Sequence, residues 1–307
     1  MTDAPDGGAI FEFAAAKINL ALHVTGRRGD GYHLLDSLVT FTDIGDRLTF
    51  SPSDTDRFTL SGRFADDLPH HDDIRTGNLA LRARNRLREE AAGAGAAAGP
   101  VHIHLEKNLP PASGIGGGSA DAAAVLRGLN RLWQPGLDAE TIALIALSLG
   151  ADVPMCLASR PLIARGIGDI IVPATGFPRL DLVLANPLLP LATPAVFAAL
   201  ENRHNPPLSI EAQAPADASE WIALVRESRN DLQLPASRIA PAIHGVLDAL
   251  SSAGASLVRM SGSGATCFGL FTDVDSAKAA ADRLAHARPD WFVAATTTLA
   301  EGDDDHD

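Results

Sequence analysis

The sequence has few cysteines and no uninterrupted apolar segment, and each shortage excludes a class of protein. Cys156 and Cys267 are the only cysteines among 307 residues. They are far apart and lack metal-ligand spacing, so neither a disulfide framework nor a zinc site is expected. The most apolar long stretch, LDLVLANPLLPLATPAVFAAL (180–200), contains Asp181, Asn186 and three prolines. These residues exclude a membrane span.

Positive charge is also in short supply. The formal net charge is −13, which disfavours nucleic acid or an anionic membrane as a partner because polyanions are repelled at long range. The acidic N-terminus has no basic n-region, so no signal peptide is predicted. We therefore expect a cytoplasmic protein, monomeric or homodimeric, that can hold a small anionic substrate only through local donors.

Lysine and tyrosine are scarce in an informative way. Only Lys17, Lys107 and Lys278 are lysines among 25 basic residues, and Tyr32 is the only tyrosine. A chain so biased towards arginine uses lysine at few positions, and each needs a reason. Tyr32 lies in a glycine-flanked polar loop, which weakens the usual assignment of an aromatic residue to the core.

The composition that is present indicates a folded protein with one large or two ordinary domains. Hydrophobic residues make up 46% of the chain and charged residues 21%, as in globular proteins with a core. Alternation within KINLALHV predicts a strand that places Lys17 and Asn19 on one face. A helix is predicted to end at Gly150, and Pro154 is expected to prevent it from resuming.

Several polar or low-complexity segments carry no clear chemistry. Residues 1–9 are predicted to be a disordered leader, and residues 91–100 (AAGAGAAAGP) a flexible insertion. His102 and His104 share one strand face, and residues 70–73 (HHDD) form a polar cluster. Because neither group shows a complete ligand set, solvated surface is favoured over a metal site.

The second half of the chain has a different pattern. Beyond Pro173 the predicted order is β-α-β-β-α-β, the ferredoxin-like split arrangement. We therefore predict domains at residues 10–172 and 173–300. The SGSG segment (261–264) is either a hairpin turn or a second set of backbone donors near a phosphate site.

The stretch PPASGIGGGSADAAAVL (110–126) predicts a glycine-rich loop that leads into a helix. No lysine follows a glycine, which excludes a Walker A loop, and a serine stands where a dinucleotide fingerprint needs its third glycine. A triphosphate loop that uses main-chain donors and the helix dipole is favoured, with Ser119 as the N-cap. The alternative is a mobile surface loop with an ordinary cap. Asp121 is expected in the first helical turn and is not assigned to catalysis.

This loop is similar to the phosphate loop of the GHMP kinases, which include galactokinase and the homoserine, mevalonate and phosphomevalonate kinases. Four blocks carry the resemblance in family order: AKINLALHVTGRRGDGYHLLDSL, PPASGIGGGSADAAAVLRGLN, LGADVPMCL with RGIGD, and MSGSGATCFGLF. The GRRGDGYH segment resembles the branch whose substrate carries a cytidyl group. Two residues depart from the pattern: Asp169 replaces the usual glutamate, and Ser113 replaces a common alanine.

The resemblance implies both a fold and a reaction. It implies an α+β architecture with a ribosomal-protein-S5-domain-2-like N-terminal domain, a ferredoxin-like C-terminal domain and an active site between them. ATP, with Mg²⁺, would phosphorylate the 2-hydroxyl of 4-diphosphocytidyl-2-C-methyl-D-erythritol in the non-mevalonate isoprenoid precursor pathway. No protein ligand of the metal is assigned. The implied ATP-binding residues are Pro110, Pro111, Ala112, Ser113, Gly114, Ile115, Gly116, Gly117, Gly118, Ser119 and Ala120.

The resemblance also implies roles for two candidate catalytic residues and one neighbour. Asp152 would be the general base or would orient the acceptor hydroxyl; otherwise it is a turn or N-cap aspartate. Lys17 would pair with Asp152 and offset transition-state charge, the alternative being an exposed strand lysine. Asn19 would bind the acceptor, or it is a sheet-edge amide.

Three further residues are implied to hold the cytosine base. Tyr32 would stack on one face, His33 would bind the hydrogen-bonding edge, and Phe197 would cover the opposite face. The alternative for Phe197 is a helix residue packed into the core.

Two other functions stay open at this point. One is another small-molecule GHMP kinase of the homoserine or mevalonate type, against which GRRGDGYH argues. The other is a catalytically silent nucleotide-binding regulator, against which the presence of both Lys17 and Asp152 argues.

Overall fold

The structure is a computed structural model that describes residues 8–68, 77–208, 215 and 217–300. Residues 1–7 of the predicted leader (1–9) and the HHDD cluster at 70–73 lie outside the described residues. None of the described helices is long and apolar enough to cross a membrane.

The first half of the chain forms a six-stranded mixed sheet. Strand β2 pairs with β1, β4 and β5, while β3 joins β4 in parallel and β6 closes the other edge. The strands are β1 (Ile10–Arg27), β2 (His33–Pro52), β3 (Arg57–Ser61), β4 (Val101–Glu106), β5 (Leu162–Gly166) and β6 (Ile170–Pro173).

The described residues of this half include four helices, and a short 3₁₀ turn covers Ala65–Asp67. Helices α1 and α2 pack on each other and bury their alanine- and leucine-rich faces in one apolar cluster with the sheet. The helices are α1 (Leu79–Gly93), α2 (Gly117–Trp133), α3 (Ala139–Leu149) and α4 (Val153–Ala158).

The second half forms a four-stranded sheet in the order β10-β7-β9-β8, and every pairing is antiparallel. This order, with α8 and α9 as its two crossovers, confirms the ferredoxin-like prediction. The strands are β7 (Asp181–Asn186), β8 (Leu257–Met260), β9 (Cys267–Phe271) and β10 (Phe292–Thr297). The helices are α5 (Thr193–Ala198), α6 (Ala218–Glu227), α7 (Gln233–Ile239), α8 (Ala242–Ser252) and α9 (Val274–Ala287).

A shared apolar cluster joins the two halves. Ile18 and Leu20 of β1 lie in the same cluster as Leu184, Trp221 and Phe268 of the second half. Burial of this surface stabilises the pair of sheets as one unit. The chain crosses from the first sheet to the second between β6 and β7, and the domain boundary at residue 172 stays a prediction.

Two expectations about helix ends are wrong. The predicted flexible insertion at 91–100 begins inside α1, because Ala91 is buried in the first core and alanine favours a helix. Pro154 does not prevent a helix: it lies in the first turn of α4, where its missing N–H has no helical partner to lose.

The start of α2 also differs from the prediction. The N-cap is Gly116 at φ 69°, without a side-chain cap, and Ser119 is a half-buried residue inside the first turn. A backbone in the left-handed region favours glycine over a hydroxyl residue at this cap. Asp121 lies beyond the first turn and is buried, so its carboxylate does not cap the helix dipole.

Candidate active site

One cavity of about 1060 Å³ lies between the two halves of the chain. Its wall combines the middle of β1, the glycine-rich loop and the start of α4 with residues of α5 and of the SGSG turn. Pockets for single small ligands usually occupy about 300–1,000 Å³, so this cavity is slightly larger than the upper end of that range.

The glycine-rich loop adopts conformations that require glycine. Gly114 and Gly116 have φ values of 79° and 69°. A Cβ atom at Gly114 would lie 2.6 Å from the carbonyl oxygen of Gly264, and one at Gly116 would lie 3.1 Å from Cβ of Lys17. The loop backbone therefore lies too close to the second half and to β1 to accommodate a side chain at these two positions. The N-terminus of α2, which follows the loop, lines the cavity.

Side chains of the second half hold this loop in place. The Ser261 hydroxyl accepts a hydrogen bond from Asn19 N at 3.1 Å and donates to Gly114 O at 3.2 Å. The Thr266 hydroxyl donates to Ser113 O at 2.6 Å. Gly262 and Ser263 of the SGSG segment line the cavity. SGSG is thus a tight turn between β8 and β9 that also contributes to the cavity wall.

Lys17 and Asp152 form an ion pair beside the loop. Lys17 Nζ donates to Asp152 Oδ2 at 2.8 Å, with side-chain exposures of 4% and 42%. Lys17 is buried under Gly116, while Asp152 stands at the N-cap position of α4 and opens to the cavity. The backbone N–H of Lys17 also donates to Ile115 O at 2.9 Å. The lysine is therefore fixed relative to the loop, and the carboxylate is accessible to a substrate.

Strand irregularities set the direction of these side chains. The β1–β2 register shifts between Ala15 and Lys17 and again between Asn19 and Ala21, and such bulges re-aim side chains. Asn19 donates through Nδ2 to the Ser37 hydroxyl at 2.8 Å, while its buried Oδ1 has no partner among the described residues. Because Asn19 lines the cavity, this oxygen can accept a hydrogen bond from a ligand.

The base-binding candidates meet at another part of the cavity. The rings of His33 and Phe197 are stacked, with centroids 4.8 Å apart, and Tyr32 is exposed beside them. His33 Nε2 is buried without a hydrogen-bond partner among the described residues. Burial lowers the pKa of the His33 imidazole, and the charges of Arg27 and Arg203 lower it further, so the ring is neutral near pH 7.

A buried charge cluster lies beneath the glycine-rich loop. Lys107 Nζ donates to Asp46 Oδ2 at 2.5 Å and to Asp121 Oδ2 at 2.6 Å. Asp46 Oδ1 also accepts from the backbone N–H groups of Asn108 and Leu109. Burial alone would lower the pKa of Lys107, but the two aspartates raise it. Burial, together with repulsion from the neighbouring Asp46 carboxylate, raises the pKa of Asp121 to about 8 against the attraction of Lys107.

The structure separates the predicted ATP-binding stretch into two groups. Residues 112–114 and 116–119 line the cavity. Pro110, Pro111, Ile115 and Ala120 do not belong to its wall, and Ile115 is fully buried. The remaining predicted residues, Lys17, Asn19, Tyr32, His33, Asp152 and Phe197, all line the cavity.

Sequence reasoning missed other residues of the wall. Arg27 and Arg203 contribute positive charge, and Thr193 shares a 2.7 Å hydrogen bond with Ser263. Arg27 lies within the GRRGDGYH segment, which also contains Tyr32 and His33, so its place in the sequence could have indicated that it lines the cavity. Nothing local in the sequence marks Arg203 or Thr193.

Comparison with known proteins identifies the family. Residues 78–160 match the model of the GHMP kinases N terminal domain, and residues 210–290 match that of the GHMP kinases C terminal. The chain is 55% identical to a 4-diphosphocytidyl-2-C-methyl-D-erythritol kinase from Sinorhizobium medicae over 97% of its own length and 99% of the relative's. It is 54% identical to the protein of that name from Agrobacterium fabrum, over 94% of this chain and 96% of the relative.

Solved structures agree with this assignment. A crystal structure of 4-(cytidine 5′-diphospho)-2C-methyl-D-erythritol kinase matches with a TM-score of 0.75 at 34% identity, covering 94% of this chain and 99% of that one. A homoserine kinase from Cytophaga hutchinsonii matches with a TM-score of 0.70 at 18% identity, over 98% and 97% of the two chains, which shows the fold alone. The chain therefore belongs to the 4-diphosphocytidyl-2-C-methyl-D-erythritol kinases of the GHMP kinase family.

Proposed function

We propose that this kinase transfers the γ-phosphoryl group of ATP to the 2-hydroxyl of 4-diphosphocytidyl-2-C-methyl-D-erythritol. The observation that carries the proposal is the Lys17–Asp152 pair, 2.8 Å long, directly beside the phosphate loop. The same cavity also contains the base-binding candidates. A donor site, a charged pair and an acceptor site therefore share one cavity, as phosphoryl transfer requires.

Asp152 acts on the acceptor hydroxyl. Its carboxylate is partly exposed to the cavity and held by the Lys17 ammonium. It accepts a hydrogen bond from the hydroxyl, aligns that oxygen with the phosphorus atom, and takes the proton as the new P–O bond forms. Asn19 Oδ1, which is buried without a partner among the described residues, orients the same part of the substrate.

Lys17 provides a fixed positive charge at the point of transfer. Its side chain is nearly fully buried, lies against Gly116 and is already paired with Asp152. A cation held in a water-poor site needs little reorganisation when negative charge shifts towards the acceptor and leaving oxygens. The backbone N–H groups at the start of α2 hold the phosphates and complement that charge.

Mg²⁺ is expected to accompany ATP. Among the described residues, no group of three or more His, Cys, Asp or Glu side chains could hold a metal ion. Mg²⁺ in kinases uses one or two protein oxygens together with substrate phosphates and water, and the hydroxyl of Ser119, which lines the cavity, would fit such a partial shell. When bound, the ion neutralises the phosphate oxygens of ATP.

The base-binding residues select the cytidyl end of the acceptor. Tyr32 and Phe197 offer aromatic faces for the base, and a neutral His33 offers a ring nitrogen to its polar edge. In this structure the His33 ring rests on Phe197, so a base that uses the Phe197 face must move this ring aside.

The two alternatives are less well supported. The solved homoserine and mevalonate kinase structures are 18% and 14% identical to this chain in sequence, which shows a common fold alone. A silent nucleotide-binding protein would have no need for the buried lysine and accessible carboxylate that Lys17 and Asp152 form.

The test is coupled ADP release with ATP and the cytidyl substrate, comparing wild type with Asp152→Asn. We expect kcat to fall by about 10²–10⁴, the usual contribution of a general base, with KM for ATP changed by less than about threefold because the phosphate loop is intact. Asp248→Asn, an exposed carboxylate on α8, is the matched control and should behave as wild type.

Two results would contradict the proposal in different ways. Equal ADP release from wild type and Asp152→Asn would remove the role of Asp152. Folded wild type that releases no ADP in response to the cytidyl substrate would remove the substrate assignment.

A further inference from the structure

Two arginine side chains line the cavity and are not used in the mechanism above. Arg27 at the end of β1 and Arg203 in the segment after α5 belong to the same wall as His33. The acidic residues of this wall already have partners: Asp30 pairs with Arg28 at 2.7 Å, and Asp152 with Lys17. In a protein of net charge −13, the two arginines form a local excess of positive charge inside the cavity.

Arg203 lies on a segment that is fixed to β1. Asn205 donates through its backbone N–H to Val24 O at 3.1 Å, and its side-chain Nδ2 reaches the same oxygen. His23 Nδ1 lies 3.1 Å from Pro206 O. A side chain on an anchored segment loses less conformational freedom when it binds a ligand than one on a free loop.

The polar groups around Arg203 are incompletely satisfied. Arg203 Nε is buried without a hydrogen-bond partner among the described residues, and the same holds for His33 Nε2 and Asn19 Oδ1. All three residues line the cavity. Buried polar atoms without partners are costly. Arg203 lies close enough to His33 for its charge to act on that imidazole, so the unpartnered Arg203 Nε and His33 Nε2 indicate a site that a polar ligand completes, while Asn19 Oδ1 belongs to the acceptor end of the same cavity. Guanidinium groups match phosphate oxygens with paired N–H donors.

We propose that Arg203, assisted by Arg27, binds the diphosphate of the cytidyl substrate and so selects the charged nucleotide over the uncharged nucleoside. The inference rests on the proposed function, which puts the base beside His33 and the hydroxyl at Asp152. The diphosphate links the cytidine to the sugar alcohol, so it must lie close to the base-binding residues, where the two arginines are found.

The experiment compares two probes, cytidine 5′-diphosphate and cytidine, by calorimetric titration of wild type and Arg203→Gln. A saturating non-hydrolysable ATP analogue keeps either probe out of the phosphate loop. We expect the variant to bind the diphosphate about tenfold more weakly, the value of one hydrogen-bonded charge pair. Its affinity for cytidine should change by less than about twofold, because the base contacts are intact.

Turnover supplies a second measurement. In Arg203→Gln, KM for the cytidyl substrate should rise about tenfold, while KM for ATP and kcat stay within about twofold, because only ground-state binding is lost. Arg203→Lys, which keeps the charge but loses the paired donors, should give a smaller rise. Arg226→Gln changes the net charge equally at an exposed position on α6 and should match wild type.

Equal losses for the diphosphate and cytidine would overturn the proposal, and so would an unchanged affinity for the diphosphate. If Arg203→Gln does not fold, the same comparison of the two probes with Arg203→Lys decides the question. Failure of the proposed function has a different signature, because wild type itself would then not turn over the cytidyl substrate.

Discussion

Replacing Asp121 with asparagine preserves the shape of a buried side chain and removes only its ability to ionise. Asp121 contacts Lys107 through Oδ2, while its buried Oδ1 has no partner among the described residues. Asp46 receives the other bond from Lys107 and two backbone N–H bonds as well. Lys107 therefore contacts both carboxylates, but Asp46 accepts more hydrogen bonds than Asp121 does. Burial raises the pKa of Asp121 to about 8.

The sign and size of the pH effect follow from this pKa. An unfolded aspartate has a pKa of about 3.9, so between that value and about 8 the folded state keeps a proton that the unfolded state has released. The free energy of unfolding therefore falls with rising pH by about 1.4 kcal/mol per unit. The stability that the raised pKa of Asp121 contributes is fully present below the unfolded pKa, and it is lost as the pH rises through the folded pKa. Asp121→Asn cannot ionise at this position, so its free energy of unfolding lacks this pH-dependent contribution at every pH.

Urea unfolding of wild type and Asp121→Asn at pH 5.5, 6.5 and 7.5 measures the effect. The free energy of unfolding of the variant, minus that of wild type, should rise by about 2–3 kcal/mol across this range. Asp248→Asn, which removes an exposed carboxylate, should show a difference independent of pH. A flat difference for Asp121→Asn as well would mean that Lys107 keeps both carboxylates ionised, and the reasoning would be wrong.

Two further substitutions test the buried cluster and the loop above it. Lys107→Met should lower the free energy of unfolding by about 3–5 kcal/mol because it leaves the buried Asp46 carboxylate without its cation. The exposed Lys278→Met is the control, and a loss below about 1 kcal/mol by urea unfolding would contradict the expectation. Gly114→Ala should raise KM for ATP at least about tenfold, since its Cβ would lie 2.6 Å from a carbonyl oxygen of the SGSG turn. Gly136 has a similar φ of 70° with no atom near its Cβ position, so Gly136→Ala should leave KM for ATP unchanged; equal KM values in the two variants would show that the close approach does not matter.

Motifs with strong local preferences were predicted well. The glycine-rich loop and its helix follow from the conformational limits of glycine and proline and from the helix propensity of alanine. The β-α-β-β-α-β order of the second half follows from apolar periodicity, and the observed sheet order confirms the ferredoxin-like fold. These properties depend on neighbours along the chain, which a single sequence displays.

Predictions about individual side chains at helix ends were less successful. Serine is a residue type that favours the N-cap position, which predicts Ser119 there. Gly116 takes that position because the loop must pass closely over Lys17. The sequence predicts that Pro154 prevents a helix, although a proline in the first helical turn loses no helical hydrogen bond. In both places a tertiary contact or the position within the helix overrides the average preference of the residue type.

The sequence by itself determined the order of the elements, the glycine loop and the chemical character of the two candidate catalytic residues. The pairing of Lys17 with Asp152 was implied by the family resemblance, and the tertiary structure supplies its geometry, a distance of 2.8 Å between residues 135 positions apart. Only the tertiary structure decided that Lys107 lies between Asp46 and Asp121 and that Arg203 lines the same cavity as Lys17. Local preferences act over a few residues. Burial, pairing of charges and the walls of a cavity depend on segments that become neighbours only when both sheets pack together.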